Sequence, residues 1–162
     1  MLNLYALLAS DYRIFAPQPP SYTRLPNELK IKSGNNEWIN AVYLQHPEAE
    51  YTILFSHGNA EDLGSVVPFM QRFYDRGYSV LMYDYRGYGS SEGRPSTRNA
   101  QQDAASAYDW LVQEKGIAPQ RIISHGRSLG GALATWLAAH REVGGLIVEI
   151  SFVSAFRVVT HW

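Results

Sequence analysis

The feature that most constrains the fold is a series of short, nearly unbroken apolar runs at residues 51–56, 78–83, 121–125 and 145–150. Each is too short for an independent helix, and too continuous for a strand that faces water on one side, so each reads as a strand buried on both faces. Helical spacing fills the gaps between them. Over residues 63–76, Val66, Val67, Met70, Phe73 and Tyr74 share a face and Gly77 closes the stretch. Ser96 or Thr97 caps a second stretch running to about residue 115, with Ala104, Ala107, Tyr108 and Leu111 on one side, before Gly116 breaks it. Over residues 128–140, Leu133, Trp136 and Leu137 pack, while Gly130, Gly131 and Ala134 permit close approach to a sheet. Alternation of this kind predicts an α/β fold: a mostly parallel sheet with helices on both faces. Ahead of it, residues 28–33 and 37–45 read as strands joined by Ser33-Gly34-Asn35-Asn36, hairpin turn chemistry. Pro17, Pro19 and Pro20 make residues 15–22 an extended lead-in. Residues 1–25 are thus expected to be an N-terminal arm and 26–162 a single domain.

Composition narrows the function classes. A net charge of -1, from 14 basic and 15 acidic residues, offers nothing to a polyanion, so nucleic acid is set aside. The absence of cysteine excludes disulfides, thiolate metal sites and a cysteine nucleophile, and fits a reducing, cytoplasmic setting. The apolar run at residues 1–9 falls short of the roughly 20 residues needed to span a bilayer and carries no early basic region. It reads as an amphipathic helix or a packed arm. Membrane association is allowed by it but not indicated, and the sequence does not give an oligomeric state.

Between the third apolar run and the helix after it stands Gly126-Arg127-Ser128-Leu129-Gly130, a G-x-S-x-G pattern. Three fixed positions at about 7% usage each arise by chance in roughly one chain of this length in twenty, so the context has to carry the reading. Here the context is a buried strand directly before the pattern and a small-residue helix directly after it. A nucleophile on so tight a turn leaves no room for neighbouring side chains, hence Gly126 and Gly130. The serine oxygen then stands above the strand ends, over a helix N-terminus whose positive potential favours an oxyanion. The backbone N–H of Leu129 aims at the same place. A second donor must come from the loop after an earlier strand. His57-Gly58-Asn59-Ala60 ends the first apolar run, which makes the backbone N–H of Asn59 the candidate.

As a set, His57-Gly58-Asn59-Ala60, Asp84-Tyr85-Arg86-Gly87-Tyr88-Gly89-Ser90 and Gly126-Arg127-Ser128-Leu129-Gly130-Gly131 resemble the α/β-hydrolase superfamily. The nearest branch is that of serine hydrolases with intracellular protein depalmitoylases and their bacterial relatives. The resemblance runs from about residue 11 to the last residue. It implies attack by Ser128 on a small-molecule or acylated ester or thioester, with Asn59 and Leu129 holding the oxyanion. No metal or cofactor is implied. An Asp after a later strand and a His after the last strand are implied as well.

The chain departs from that pattern after Ser128. The triad in this fold runs Ser, acid, His. His140 lies in the same helix as Ser128, about 18 Å along its axis, too far to return. His161 falls in residues 154–162, which read as a helix cut short; the resemblance implies that this stretch leads into a lid or insertion and then two further strands bearing the acid and histidine. No Asp follows Asp109, and of Glu142 and Glu149 the second reads as a structural carboxylate bonding nearby loop N–H groups. His57 reads as a turn residue bonding its own loop, His125 as packing under the elbow, His46 as solvated, and Asp84 with Arg86 as a pair bracing a loop. Ser90 and Ser91 lie in a loop without a strained turn. The expectation is a partial domain lacking its last strands, active as an esterase or thioesterase in full-length form. Alone it is expected to be nearly inactive, since loss of the histidine costs on the order of 10⁶ in rate in another serine hydrolase. The run 145–150, built for the middle of a sheet, would then be an exposed apolar edge. The alternative is a catalytically incomplete fragment or a non-enzymatic binding protein on the same scaffold.

Overall fold

The computed structural model describes residues 14–150, so the apolar run at 1–9 and the segment holding His161 lie outside the described residues. Chain order is β1 (Glu28–Lys32), β2 (Trp38–Leu44), β3 (Thr52–Ser56), α1 (Leu63–Tyr74), β4 (Ser79–Tyr83), α2 (Thr97–Gln113), β5 (Ile122–Arg127), α3 (Leu129–His140) and β6 (Gly145–Glu149). The strands form one sheet in the order β1-β2-β4-β3-β5-β6. β1 and β2 are the expected antiparallel hairpin, and β2 lies antiparallel to β4. β4, β3, β5 and β6 run parallel. In the hairpin turn Asn35 and Asn36 take φ of 58° and 61°, the left-handed region that asparagine tolerates well.

Alternation along each central strand sorts the core into two layers. Ile53, Phe55, Val80 and Met82 point to one face, where Leu63, Val66 and Met70 of α1 cover them. Leu54, Leu81 and Tyr83 point to the other, against Ala104, Ala107 and Leu111 of α2 and Leu133 and Leu137 of α3. The chain steps from β3 to β4 on one side and later returns to place β5 on the other side of β3. Such a reversal opens a crevice at the carboxyl ends of the strands, where ligands bind in open α/β sheets. The loops after β3 and β5 meet there.

One expectation needs correction and one is met. The third apolar run does not stop at His125: β5 continues to Arg127, with Ser56 paired to Gly126, so the bend falls on Ser128 itself. The fourth run, apolar enough for the middle of a sheet, is the exposed edge expected of a partial domain. Leu146, Ile147 and Val148 are 44%, 42% and 46% exposed, because among the described residues β6 is the sheet's edge, paired with β5 alone. Among the described residues no helix is long and apolar enough to cross a membrane.

The loop after β4 is held by Arg86, which is fully buried. Its Nε donates to Asp103 Oδ1 at 2.8 Å and its backbone N–H to Asp103 Oδ2 at 2.8 Å. The other guanidinium nitrogens reach Glu37, the Gly34 carbonyl, the Asn99 carbonyl and Gln102. One side chain thus ties the hairpin turn, α2 and the loop together. The expected Asp–Arg brace exists, but its acid is Asp103 and not Asp84. The chain leaves the strand at residue 84, and Arg86 turns toward α2. Arg86→Met is expected to destabilise the protein by about 3–5 kcal/mol, because it strands the Asp103 carboxylate in the core. Urea unfolding measures this, and a loss below about 1 kcal/mol would contradict the brace.

Candidate active site

Ser128 sits at φ 53° and ψ -116°, outside the basins that L-residues favour. Such a conformation costs on the order of 1–3 kcal/mol and persists only where the surroundings enforce it. The surroundings are on either side of it. A Cβ on Gly126 would collide with the Gly130 carbonyl, and a Cβ on Gly130 would collide with the Ser56 carbonyl at the end of β3. The start of α3 is therefore seated directly on two strand ends. Ser128 N–H donates to the Glu149 carbonyl at 2.9 Å, which fixes the turn from the β6 side. Ser128 is half-buried at the carboxyl rim of the sheet, the rim that also carries residues 57–60.

The loop after β3 is held as firmly. The Gly58 carbonyl accepts from His57 Nδ1 at 2.8 Å and from Glu61 N–H at 3.2 Å. A carbonyl only accepts, so Nδ1 carries the proton. A trans peptide is planar, so the Asn59 N–H points opposite to that carbonyl, away from the buried His57 ring. Behind the ring, Nε2 stands 3.3 Å from Asp84 Oδ1, and Tyr85 lies tilted against it at 4.2 Å. Asp84 also accepts from the Leu63 N–H at 2.9 Å and the Tyr22 hydroxyl at 2.6 Å. Asp84 therefore supports the loop after β3 and the first turn of α1.

The side chain of Asn59 anchors the lead-in. Its Oδ1 accepts from Ala16 N–H at 2.9 Å and from the Tyr88 hydroxyl at 2.6 Å, and its Nδ2 donates to the Ile14 carbonyl at 2.6 Å. Burial pushes the Tyr88 hydroxyl up to about 12, against the pull of the Ala16 N–H, so it remains a donor. Further along, Ser21 bonds Asp62, the N-cap of α1, through both its N–H and its hydroxyl. Burial alone would raise the Asp62 carboxyl, but the bonds from Ser21 and Ser65 outweigh it and hold the group below the ordinary range.

Every described histidine is committed elsewhere. His125 is buried on the α1 face between Phe55 and Phe73. Glu149 Oε2 is 3.5 Å from His125 Nε2, so this carboxylate faces a histidine and not loop N–H groups. His140 is exposed, stacked on Trp136 and bonded to its carbonyl. His46 lies at the opposite rim, where its N–H donates to Ser79 at the start of β4. No cluster of three or more His, Cys, Asp or Glu residues fit to hold a metal occurs among the described residues. Sequence reasoning missed Tyr88 and Glu61. Glu61 had a signal: it lies three residues after Gly58, and an opposite charge, Arg127, fills the variable position before Ser128.

Known proteins share the fold that carries this site. The family model described as serine aminopeptidase, S33 (Hydrolase_4) matches residues 47–155. The alpha/beta hydrolase domain-containing protein aho-3 of Caenorhabditis elegans is 37% identical, over 89% of this chain and 51% of its own length. The alpha/beta hydrolase domain-containing protein 17B of Homo sapiens is 39% identical, over 69% of this chain and 39% of its own. This chain thus spans about half, or less, of these relatives. Among solved structures, an alpha-beta hydrolase from Vibrio vulnificus superposes with a TM-score of 0.73 at 29% identity, covering 84% of this chain and 49% of that one. An esterase of Pyrococcus furiosus shares the fold, with a TM-score of 0.68 at 20% identity over 80% and 56% of the two chains.

His125 gives the region a pH signature. Burial holds it below the ordinary 6.5 despite the upward pull of Glu149, and Arg127 adds to the lowering. The unfolded chain therefore takes up a proton that the folded chain refuses. Stability is full above about pH 6.5 and falls as the pH drops toward the folded-state value. The urea midpoint is expected to decline from about pH 7.5 to about pH 5.5, and less steeply in His125→Gln. Equal slopes in the two proteins would contradict it.

Proposed function

The chain belongs to the serine aminopeptidase, S33 family of α/β-hydrolases, and from that membership we propose that Ser128 is the nucleophile of a site hydrolysing carboxylic esters or thioesters. The observation that carries the reading is the enforced positive-φ turn at Ser128, wedged between two glycines that admit no side chain. The Ser128 hydroxyl attacks the acyl carbonyl. The oxygen that gains charge is met by the N–H groups of Asn59 and Leu129. The alcohol or thiol departs with a proton, and water then releases the acyl group from the serine. No described histidine serves as the base. In the chain order of this fold the base and its acid follow Ser128, so the reaction is proposed for the intact gene product.

A fluorophosphonate probe is expected to label the intact protein at Ser128, located by peptide mass spectrometry, and to leave Ser128→Ala unlabelled. Equal labelling of the two proteins rules out Ser128 as the nucleophile. Failure of the labelled protein to turn over any short acyl ester or thioester would leave a binding role on this scaffold as the better reading.

A further inference from the structure

We infer that the Glu61–Arg127 pair is a positioning device that locks the oxyanion loop to the nucleophile turn. The inference rests on the hydrolytic reading above. Arg127 is the last residue of β5 and the residue before Ser128. Its Nη2 donates to Glu61 Oε1, and its Nε donates to Glu61 Oε2 at 3.2 Å, a forked, charge-assisted contact. The same Oε2 accepts the Gly58 N–H at 2.6 Å. Glu61 N–H in turn donates to the Gly58 carbonyl at 3.2 Å. Glu61 therefore grips both polar groups of Gly58, the residue whose carbonyl shares a peptide plane with the Asn59 N–H.

The guanidinium lies over the rings of Phe55 and Phe69, 5.6 and 5.0 Å from their centres. The two charged side chains are 19% and 29% exposed, so the contact is sheltered from the screening that weakens surface pairs. A continuous path runs from Ser128 through Arg127 and Glu61 to Gly58 and Asn59. The proposed donors, on Leu129 and Asn59, come from turns on different strands, and this path is a side-chain link that fixes one turn against the other. Donors in an oxyanion hole act by being held where charge develops. A link between their two turns therefore acts on the chemical step more than on substrate binding.

The test uses the intact protein with a short acyl ester, in Glu61→Gln, Arg127→Met and the double variant. Removing a donor outright costs about 10²–10³ in kcat, and loosening one is expected to cost on the order of 10- to 100-fold, with KM nearly unchanged. The double variant is expected to be no worse than the weaker single, since both break one link. Single variants within about threefold of the parent in kcat, or losses that multiply in the double, would overturn the inference. Ester turnover surviving in Ser128→Ala would instead overturn the hydrolytic reading. Amide exchange reads the link without turnover. Exchange at Gly58 is expected to be at least about tenfold faster in Glu61→Gln, and unchanged exchange overturns the inference whether or not an ester is cleaved.

Discussion

The seat of α3 on the ends of β3 and β5 is the constraint from which the rest of this structure follows. Gly130 lies against the Ser56 carbonyl and Gly126 against the Gly130 carbonyl, at distances no side chain survives. With strand and helix that close, the single residue between them has no relaxed conformation available, and Ser128 takes a strained one at positive φ. The strain is local, and it is offset by the packing of Leu133 and Leu137 against the sheet. Its consequence is that a hydroxyl stands at the rim of the sheet over a helix N-terminus, next to the loop that leaves β3.

Around that seat the buried polar groups are arranged as supports. Asp84 and His57 sit behind the β3 loop, and Tyr85 donates to the His57 carbonyl at 2.6 Å. Arg86 and Asp103 hold the neighbouring loop from the side of α2. The lead-in crosses the rim through Asn59, Tyr88 and Asp62. None of these groups needs to touch a substrate to matter. They hold the loops at this rim in place, and under the proposed reading those behind the β3 loop set the direction of the Asn59 N–H.

Much of this was legible from residue pattern alone. Unbroken apolar runs separated by helical spacing identify a parallel sheet, because only strands covered on both faces tolerate such composition. The glycines flanking Ser128 identify the bend, because only a missing side chain permits the approach. What pattern does not carry is the pairing of charges between segments distant in sequence. Asp84 and Arg86 are two residues apart and look like partners, yet one turns to His57 and the other to Asp103. Asn59 reads as a backbone donor, and its side-chain bonds to residues 14–16 depend on a lead-in whose path no local signal sets. Whether an apolar strand such as β6 is buried depends on what lies beside it. Among the described residues nothing in the sheet flanks it beyond β5, and its apolar side chains stay exposed.

The chain spans about half, or less, of the relatives it matches, so the nucleophile half of the proposed site is the part on which this account stands. Its central claim is that the N–H groups of Asn59 and Leu129 converge on an atom bonded to Ser128. A crystal structure of the intact protein with a phosphonate joined to Ser128 tests that claim directly. The account predicts the phosphonyl oxygen about 2.7–3.1 Å from both nitrogens, with Ser128 still at positive φ. A phosphonyl oxygen directed to solvent, with the Asn59 N–H bonded to some other group, would contradict it.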